Sequence, residues 1–161
     1  KARGRRLHKL LEVLPAHPRA QWQDMGRALL EGAADHEAML AEVTALLDNP
    51  DLSHVFAPDT LAEVDVSAQL ALRGNARMHG SIDRLIIGAD EVTVIDFKSN
   101  AVVPTCAENV PDGILRQMGA YIEAITQIFP KHSAKCAILW TTNAELMPID
   151  PALARAALPA P

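Results

Sequence analysis

Hydrophobic residues recur at helical spacing through the first third of the chain. Four leucines at every third or fourth position share one face of a predicted helix over 3–14: Leu7, Leu10, Leu11 and Leu14. Pro15 interrupts this pattern, and two further helical stretches follow at 19–31 and 35–48. The sequence therefore predicts that residues 1–50 form a helical part.

Beyond residue 60 the hydrophobic period changes. Apolar and polar residues alternate in steps of two, as in strands, and the spacing later returns to helical. The predicted elements are, in chain order, strands 61–70, 78–87 and 91–97, helix 111–129, strand 134–142 and helix 151–157. The predicted buried side of the long helix carries Ile114, Met118, Ile122, Ile125 and Phe129. This order predicts an α/β protein with a hairpin-rich mixed sheet over residues 60–161.

Length and composition indicate one folded domain over residues 1–161. The chain has 161 residues, 49% of them hydrophobic, which argues against a disordered tail. The net charge of −5 argues against a simple basic nucleic-acid-binding module. It leaves room for an enzyme that uses a bound divalent cation, because the cation supplies positive charge locally. Two cysteines cannot build a four-cysteine metal cluster.

The ends of the chain and its apolar runs bear on its location. No apolar run approaches the roughly 20 residues that span a bilayer. The basic start soon becomes amphipathic and lacks a cleavage-site pattern, so no signal peptide is expected. We expect a soluble, cytoplasmic protein with no membrane partner. Because the chain does not start with Met and a helical pattern is already under way, we also expect a fragment of a longer protein.

Two aspartates occupy matching positions in the second and third predicted strands. If the hairpin turn is centred between Ala89 and Asp90, Asp83 faces Asp96 on one side of the sheet. Their Cβ atoms would then lie about 5 Å apart. An odd-length loop would break this register. Two carboxylates this close repel each other unless a proton or a cation lies between them.

Lys98 follows Asp96 by two residues and therefore points to the same face. Carboxylate oxygens suit Mg²⁺ or Mn²⁺, and a lysine beside them can orient a water or offset charge on a phosphate. Alternatively, these are solvated charges on an exposed hairpin. Four apolar residues share the carboxylate face and favour its burial: Leu85, Ile87, Val92 and Val94. Spacing alone leaves both interpretations open.

Five motifs in chain order resemble the P-D-(D/E)-x-K nucleases of the RecB group. The central two are Gly80-Ser-Ile-Asp83-Arg-Leu and Val94-Ile-Asp96-Phe-Lys98-Ser. The other three are the helix start Arg3-Gly-Arg-Arg-Leu-His8, the acidic Glu63 on the first strand, and Gln117-Met-Gly-Ala-Tyr121. The later Phe129-Pro130 and Ala137-Ile-Leu-Trp140-Thr resemble the C-terminal nuclease domain of AddA-type helicase–nucleases most closely.

The resemblance implies a restriction-endonuclease-like mixed sheet flanked by helices, and a set of site residues. The metal, Mg²⁺ or Mn²⁺, would be held by His8, Asp83, Asp96 and the carbonyl of Phe97. Catalytic roles would fall to Asp83, Asp96 and Lys98, and Gln117 and Tyr121 would position the lysine or the DNA. Glu63 is left without an assigned role. Three basic residues are candidate phosphate contacts: Arg84, Arg116 and Lys131.

The resemblance also implies an activity and its partners. The chain would hydrolyse DNA phosphodiester bonds, as an exonuclease, during double-strand break processing for recombinational repair. A helicase part of the longer protein would feed single-stranded DNA ends to the site, beside an AddB-type partner subunit. The alternative is a nuclease-fold module that binds DNA or a partner subunit without cutting. The active nuclease is favoured, because His8, both aspartates and the lysine are all present.

Overall fold

The computed structural model describes residues 2–70 and 76–159, which form five α-helices and five β-strands. The helices are α1 Ala2–Val13, α2 Trp22–Leu29, α3 His36–Asp48, α4 Asp112–Ile128 and α5 Pro151–Ala156. The strands are β1 Leu61–Leu70, β2 Ala76–Ile87, β3 Glu91–Lys98, β4 Ser133–Trp140 and β5 Glu145–Ile149. The helical N-terminal third and the sheet-containing remainder are therefore as predicted.

The N-terminal helices form because their apolar residues line up on one side. Leu7, Leu10 and Leu11 are buried along α1, which gives way at Leu14 to a short 3₁₀ turn containing Pro15. The helix predicted over 19–31 is shorter than expected, because its first residues also form a 3₁₀ turn.

The five strands form one mixed sheet in the order β1-β2-β3-β4-β5. Neighbouring strands are antiparallel except β3 and β4, which are parallel. A parallel pair needs a crossover, and α4 supplies it. α4 has 17 residues, and within the described ranges no helix is long and apolar enough to cross a membrane. The arrangement confirms the predicted mixed α/β sheet flanked by helices.

The predicted element order omitted β5, and the structure corrects it. β5 is only five residues long and contains Pro148, which cannot donate a backbone hydrogen bond. A proline is tolerated there because β5 pairs only with β4 and forms an edge of the sheet. Met147 and Ile149 alternate with exposed residues, and this alternation was the available signal.

Each face of the sheet carries its own hydrophobic core. On one face α4 and α5 pack over Ile82, Val92 and Val94; we call this the α4-side core. On the other face α1, α2 and α3 pack over Ile95 and Phe97; we call this the N-terminal core. β3 contributes alternate residues to both cores, which places it at the centre of the protein.

Candidate metal centre

The β2–β3 hairpin has the register that the sequence predicted. Leu85 pairs with Val94 and Ile87 pairs with Val92, and the ladder ends at the pair Arg84–Ile95. Asp83 and Asp96 are the next residues on their strands. Both side chains are buried, with Asp83 8% and Asp96 2% exposed. Burial excludes the alternative in which these carboxylates are solvated charges on an exposed hairpin.

Asp83 joins α1 to β3 through its two carboxylate oxygens. Oδ1 lies 2.9 Å from Nδ1 of His8, and Oδ2 accepts a 2.6 Å hydrogen bond from the backbone N–H of Phe97. Burial lowers the pKa of His8, but the hydrogen bond and the charge of Asp83 outweigh burial, so the pKa is raised. Asp83 thus holds the imidazole of His8 next to the end of the β2–β3 ladder.

Asp96 is the most deeply buried carboxylate of the site. Burial raises its pKa to about 6, against the influence of Lys98 and with the support of the neighbouring Asp83 carboxylate. Its Oδ2 atom forms an ion pair with Nζ of Lys98 at 2.5 Å. Because burial raises the pKa of Asp96 despite this ion pair, a bound cation would further favour its ionised form.

Lys98 is held from a second direction by α4. Its Nζ donates a 3.0 Å hydrogen bond to Oε1 of Gln117, and Nε2 of Gln117 donates to the hydroxyl of Tyr121 at 3.1 Å. The Tyr121 hydroxyl donates in turn to the backbone carbonyl of Ser81 on β2 at 2.6 Å. The chain of hydrogen bonds runs from the lysine back to the strand that carries Asp83, so the ammonium group has little freedom.

Gly80 allows Tyr121 to reach β2. A Cβ atom at this position would lie 3.0 Å from Cε1 of Tyr121 and 3.4 Å from its hydroxyl oxygen. Any side chain here would push the tyrosine ring away from the strand. The first glycine of the Gly-x-Ile-Asp motif therefore has a steric role in assembling the site.

Glu63, the acidic residue of the first-strand motif, also reaches this site. Its carboxylate forms a cluster with His8 and Asp83 in which the candidate ligand atoms all lie within 4.8 Å of one another. Its backbone φ is 49°, a left-handed conformation that a non-glycine residue in a strand rarely adopts. Such local strain is often found at functional sites.

Arg84 anchors α1 beside the carboxylates. It is 4% exposed, and its Nη2 donates a 2.7 Å hydrogen bond to the carbonyl of Leu11, one turn beyond His8. This carbonyl is among the last four of α1, which have no partner within the helix. A cation at a helix C-terminus is also favourable for the helix dipole. Arg84 was a candidate phosphate contact, and its burial shows that this prediction was wrong.

The donor set fits a divalent cation. His8 and Asp83 belong to two candidate sets of ligands. The set predicted from the sequence also contains Asp96 and the carbonyl of Phe97. The cluster found in the structure also contains Glu63. Oxygen donors with one imidazole nitrogen suit Mg²⁺ or Mn²⁺. The raised pKa of the buried Asp96, which lies beside a second carboxylate, indicates that the site can accept more positive charge than Lys98 supplies.

The structure brings every predicted site residue to one region, at the end of the β2–β3 ladder between α1 and α4. His8 comes from α1, the two aspartates and the lysine from the hairpin, and Gln117 and Tyr121 from α4. The N–H of Phe97 bonds to Asp83, and the ligand role of its carbonyl stays a prediction.

One comparison with known proteins identifies a family. The family model of the PD-(D/E)XK nuclease superfamily matches residues 1–158. A comparison with curated proteins finds no match. A solved structure titled "Crystal structure of SSO0001" is similar over 94% of this chain and 73% of its own, with 16% identity and a TM-score of 0.42. That likeness is too distant to inform the fold or the function.

Proposed function

Since this chain belongs to the PD-(D/E)XK nuclease superfamily and has its restriction-endonuclease-like α/β fold, we propose that it forms one metal-dependent DNA nuclease domain. The main support for the proposal is the position of Asp83. Its carboxylate contacts His8 of α1 and the backbone of β3 next to Asp96 and Lys98. Burial then makes this carboxylate pair a strong attractor of a divalent cation.

Each residue has a proposed task. His8, Asp83 and Asp96 hold the cation, with the carbonyl of Phe97 and the nearby Glu63 as further oxygen donors. The bound cation would lower the pKa of a water molecule and offset negative charge on the phosphate.

Lys98 orients the attacking water or donates to a phosphate oxygen, since its ammonium is already held beside Asp96. Gln117 and Tyr121 position that ammonium through their hydrogen bonds. Their proposed contribution is orientation, which is a large part of catalysis at such sites.

Two variants test the metal and the lysine separately. Asp83→Ala is expected to lose both Mn²⁺ binding in calorimetry and cleavage of labelled single-stranded DNA. Lys98→Gln is expected to keep Mn²⁺ binding and to lose cleavage, because the lysine is not a ligand. Lys135→Gln removes an equal charge from an exposed lysine on β4 and serves as the control.

The outcomes separate two functions. Binding and cleavage by the wild-type chain, lost as described, would support the nuclease. Mn²⁺ binding without cleavage by the wild-type chain would favour the alternative, a nuclease-fold module that binds DNA or a partner subunit. If the wild-type chain bound no Mn²⁺ at low millimolar concentration, the proposed metal centre would be refuted.

We also propose that this domain acts during double-strand break processing, as an exonuclease within an AddA-type helicase–nuclease with an AddB-type partner. The support is the resemblance of the motifs and of the stretch from Phe129 to Thr141. The expected result is that cleavage by the longer protein in complex with its partner depends on ATP and on DNA ends. Equal activity on closed circular DNA without ATP would contradict this context.

A further inference from the structure

A cavity of about 600 Å³ lies between the beginning of β2 and the exposed side of α4. Its size is within the range of ligand-binding pockets, about 300–1,000 Å³. Gln117 and Tyr121 line one end of it, so the cavity opens beside the residues that hold Lys98. We call this cavity the β2–α4 groove.

The charges of the β2–α4 groove differ from those of the rest of the chain. Arg77, His79 and Arg116 line it, and no aspartate or glutamate does so among the described residues. The whole chain carries a net charge of −5, so a cavity whose arginine and histidine side chains face no carboxylate among the described lining residues stands out. The cleft around His8, by contrast, mixes basic residues with Glu12, Glu63 and Asp83. The β2–α4 groove therefore suits an anionic ligand.

Part of the lining of the β2–α4 groove is apolar. Leu70, Met78, Ala120 and Leu158 contribute this part. A phosphate alone would not need such walls, whereas a nucleotide offers both a phosphate and a flat base that packs on apolar surface. In a duplex the bases are stacked and paired, so only a single strand presents phosphates and free base faces to one groove.

We propose that the β2–α4 groove binds single-stranded DNA on one side of the scissile phosphate. The proposal rests on the nuclease function proposed above and assigns a groove and its residues to the binding of the strand. Arg77 and Arg116 contact backbone phosphates, and a base or sugar packs on Met78 and Leu158. Gln117 and Tyr121 link this subsite to the catalytic lysine, so the bound strand continues from the β2–α4 groove onto Lys98.

The test measures DNA binding and cleavage by Arg77→Gln in this chain. Binding of a fluorescent oligothymidylate of about twelve nucleotides is followed by anisotropy in EDTA across a salt series. We expect the variant to bind at least fivefold more weakly and to show a salt dependence reduced by about one phosphate contact. With Mn²⁺, KM for cleavage should rise while kcat is retained. Arg27→Gln removes an equal charge from exposed α2 and is the control.

Three results would overturn the inference. Equal affinities of Arg77→Gln and Arg27→Gln would show that the groove does not hold the strand. An affinity of the wild-type chain for a blunt duplex equal to that for the single strand would refute the single-strand preference. A fall in kcat without a change in KM would place Arg77 in the chemistry instead of in binding. If the wild-type chain bound DNA in EDTA but did not cleave it with Mn²⁺, the nuclease proposal would fail. The comparison of Arg77→Gln with Arg27→Gln would still test the groove.

Discussion

Asp96→Asn is expected to make the metal-free protein more stable while removing its response to metal. Asparagine has almost the same shape as aspartate and resembles its neutral, protonated form. The wild-type carboxylate is buried on β3 next to a second carboxylate. Removing its charge therefore removes an electrostatic penalty without leaving a cavity.

The pKa of Asp96 sets the size of this penalty. A rise from the usual value of 3.8 to about 6 corresponds to about 3 kcal/mol of preference for the neutral form. At pH 7.5 the wild-type group is ionised in both folded and unfolded chains, so the folded state bears this cost. We expect Asp96→Asn to raise the free energy of unfolding by up to about 3 kcal/mol. For a chain of this size that is roughly 6–12 °C in Tm.

The pH dependence of stability is a second test of the direction of this effect. Since the folded pKa lies above the unfolded one, the folded wild-type chain binds the proton more tightly. The free energy of unfolding of the wild-type chain therefore falls as the pH rises from about 4 to about 6. Above pH 6, Asp96 causes no further change in it. The difference between Asp96→Asn and wild type should be near zero at pH 4 and complete at pH 7.5. Urea unfolding in EDTA at several pH values measures it.

Metal should offset this difference in stability. Mn²⁺ at about 100 times its Kd would stabilise the wild-type chain by about 3 kcal/mol and Asp96→Asn much less. Asp90→Asn, in the exposed hairpin turn, controls for the loss of one carboxylate and should change neither quantity. If Asp96→Asn were less stable than wild type in EDTA at pH 7.5, the argument from buried charge would be refuted.

Three further substitutions test the anchoring of α1, the position of Tyr121 and the packing of α5 on α4. Arg84→Met should weaken Mn²⁺ binding severalfold in calorimetry, because α1 loses its hydrogen bond from Arg84. The free energy of unfolding should change by less than about 2 kcal/mol. Unchanged Mn²⁺ affinity would contradict the anchoring role of Arg84. Gly80→Ala should lower kcat about three- to tenfold by displacing Tyr121, with little effect on Tm; normal kcat would show that the ring position is unimportant. Gly119→Ala should lower Tm by about 4–8 °C, since its Cβ would lie 2.3 Å from the carbonyl oxygen of Ala154, and should leave Mn²⁺ affinity intact.

Local sequence patterns were sufficient for the helices and for the hairpin. Side chains of β2 and β3 point alternately to the two faces of the sheet, and a short turn joins the strands, so placing the turn was enough to predict the register. The position of Lys98 on the same strand as Asp96 followed from the same rule. The weak signal at β5 was missed because five residues with one proline give no clear period.

The placement of α1 was decided only by tertiary structure. His8 and Asp83 are 75 positions apart in sequence, and their contact depends on how α1 packs on the sheet and on the bond from Arg84 to Leu11. The left-handed backbone of Glu63 likewise exists only within the assembled sheet. Periodicity reports which face of an element is apolar, whereas the distance between elements is set by the side chains that fill the space between them. The sequence by itself thus determined the elements and the carboxylate–lysine pattern, and the packing of α1 and α4 on the sheet decided that these groups form one site.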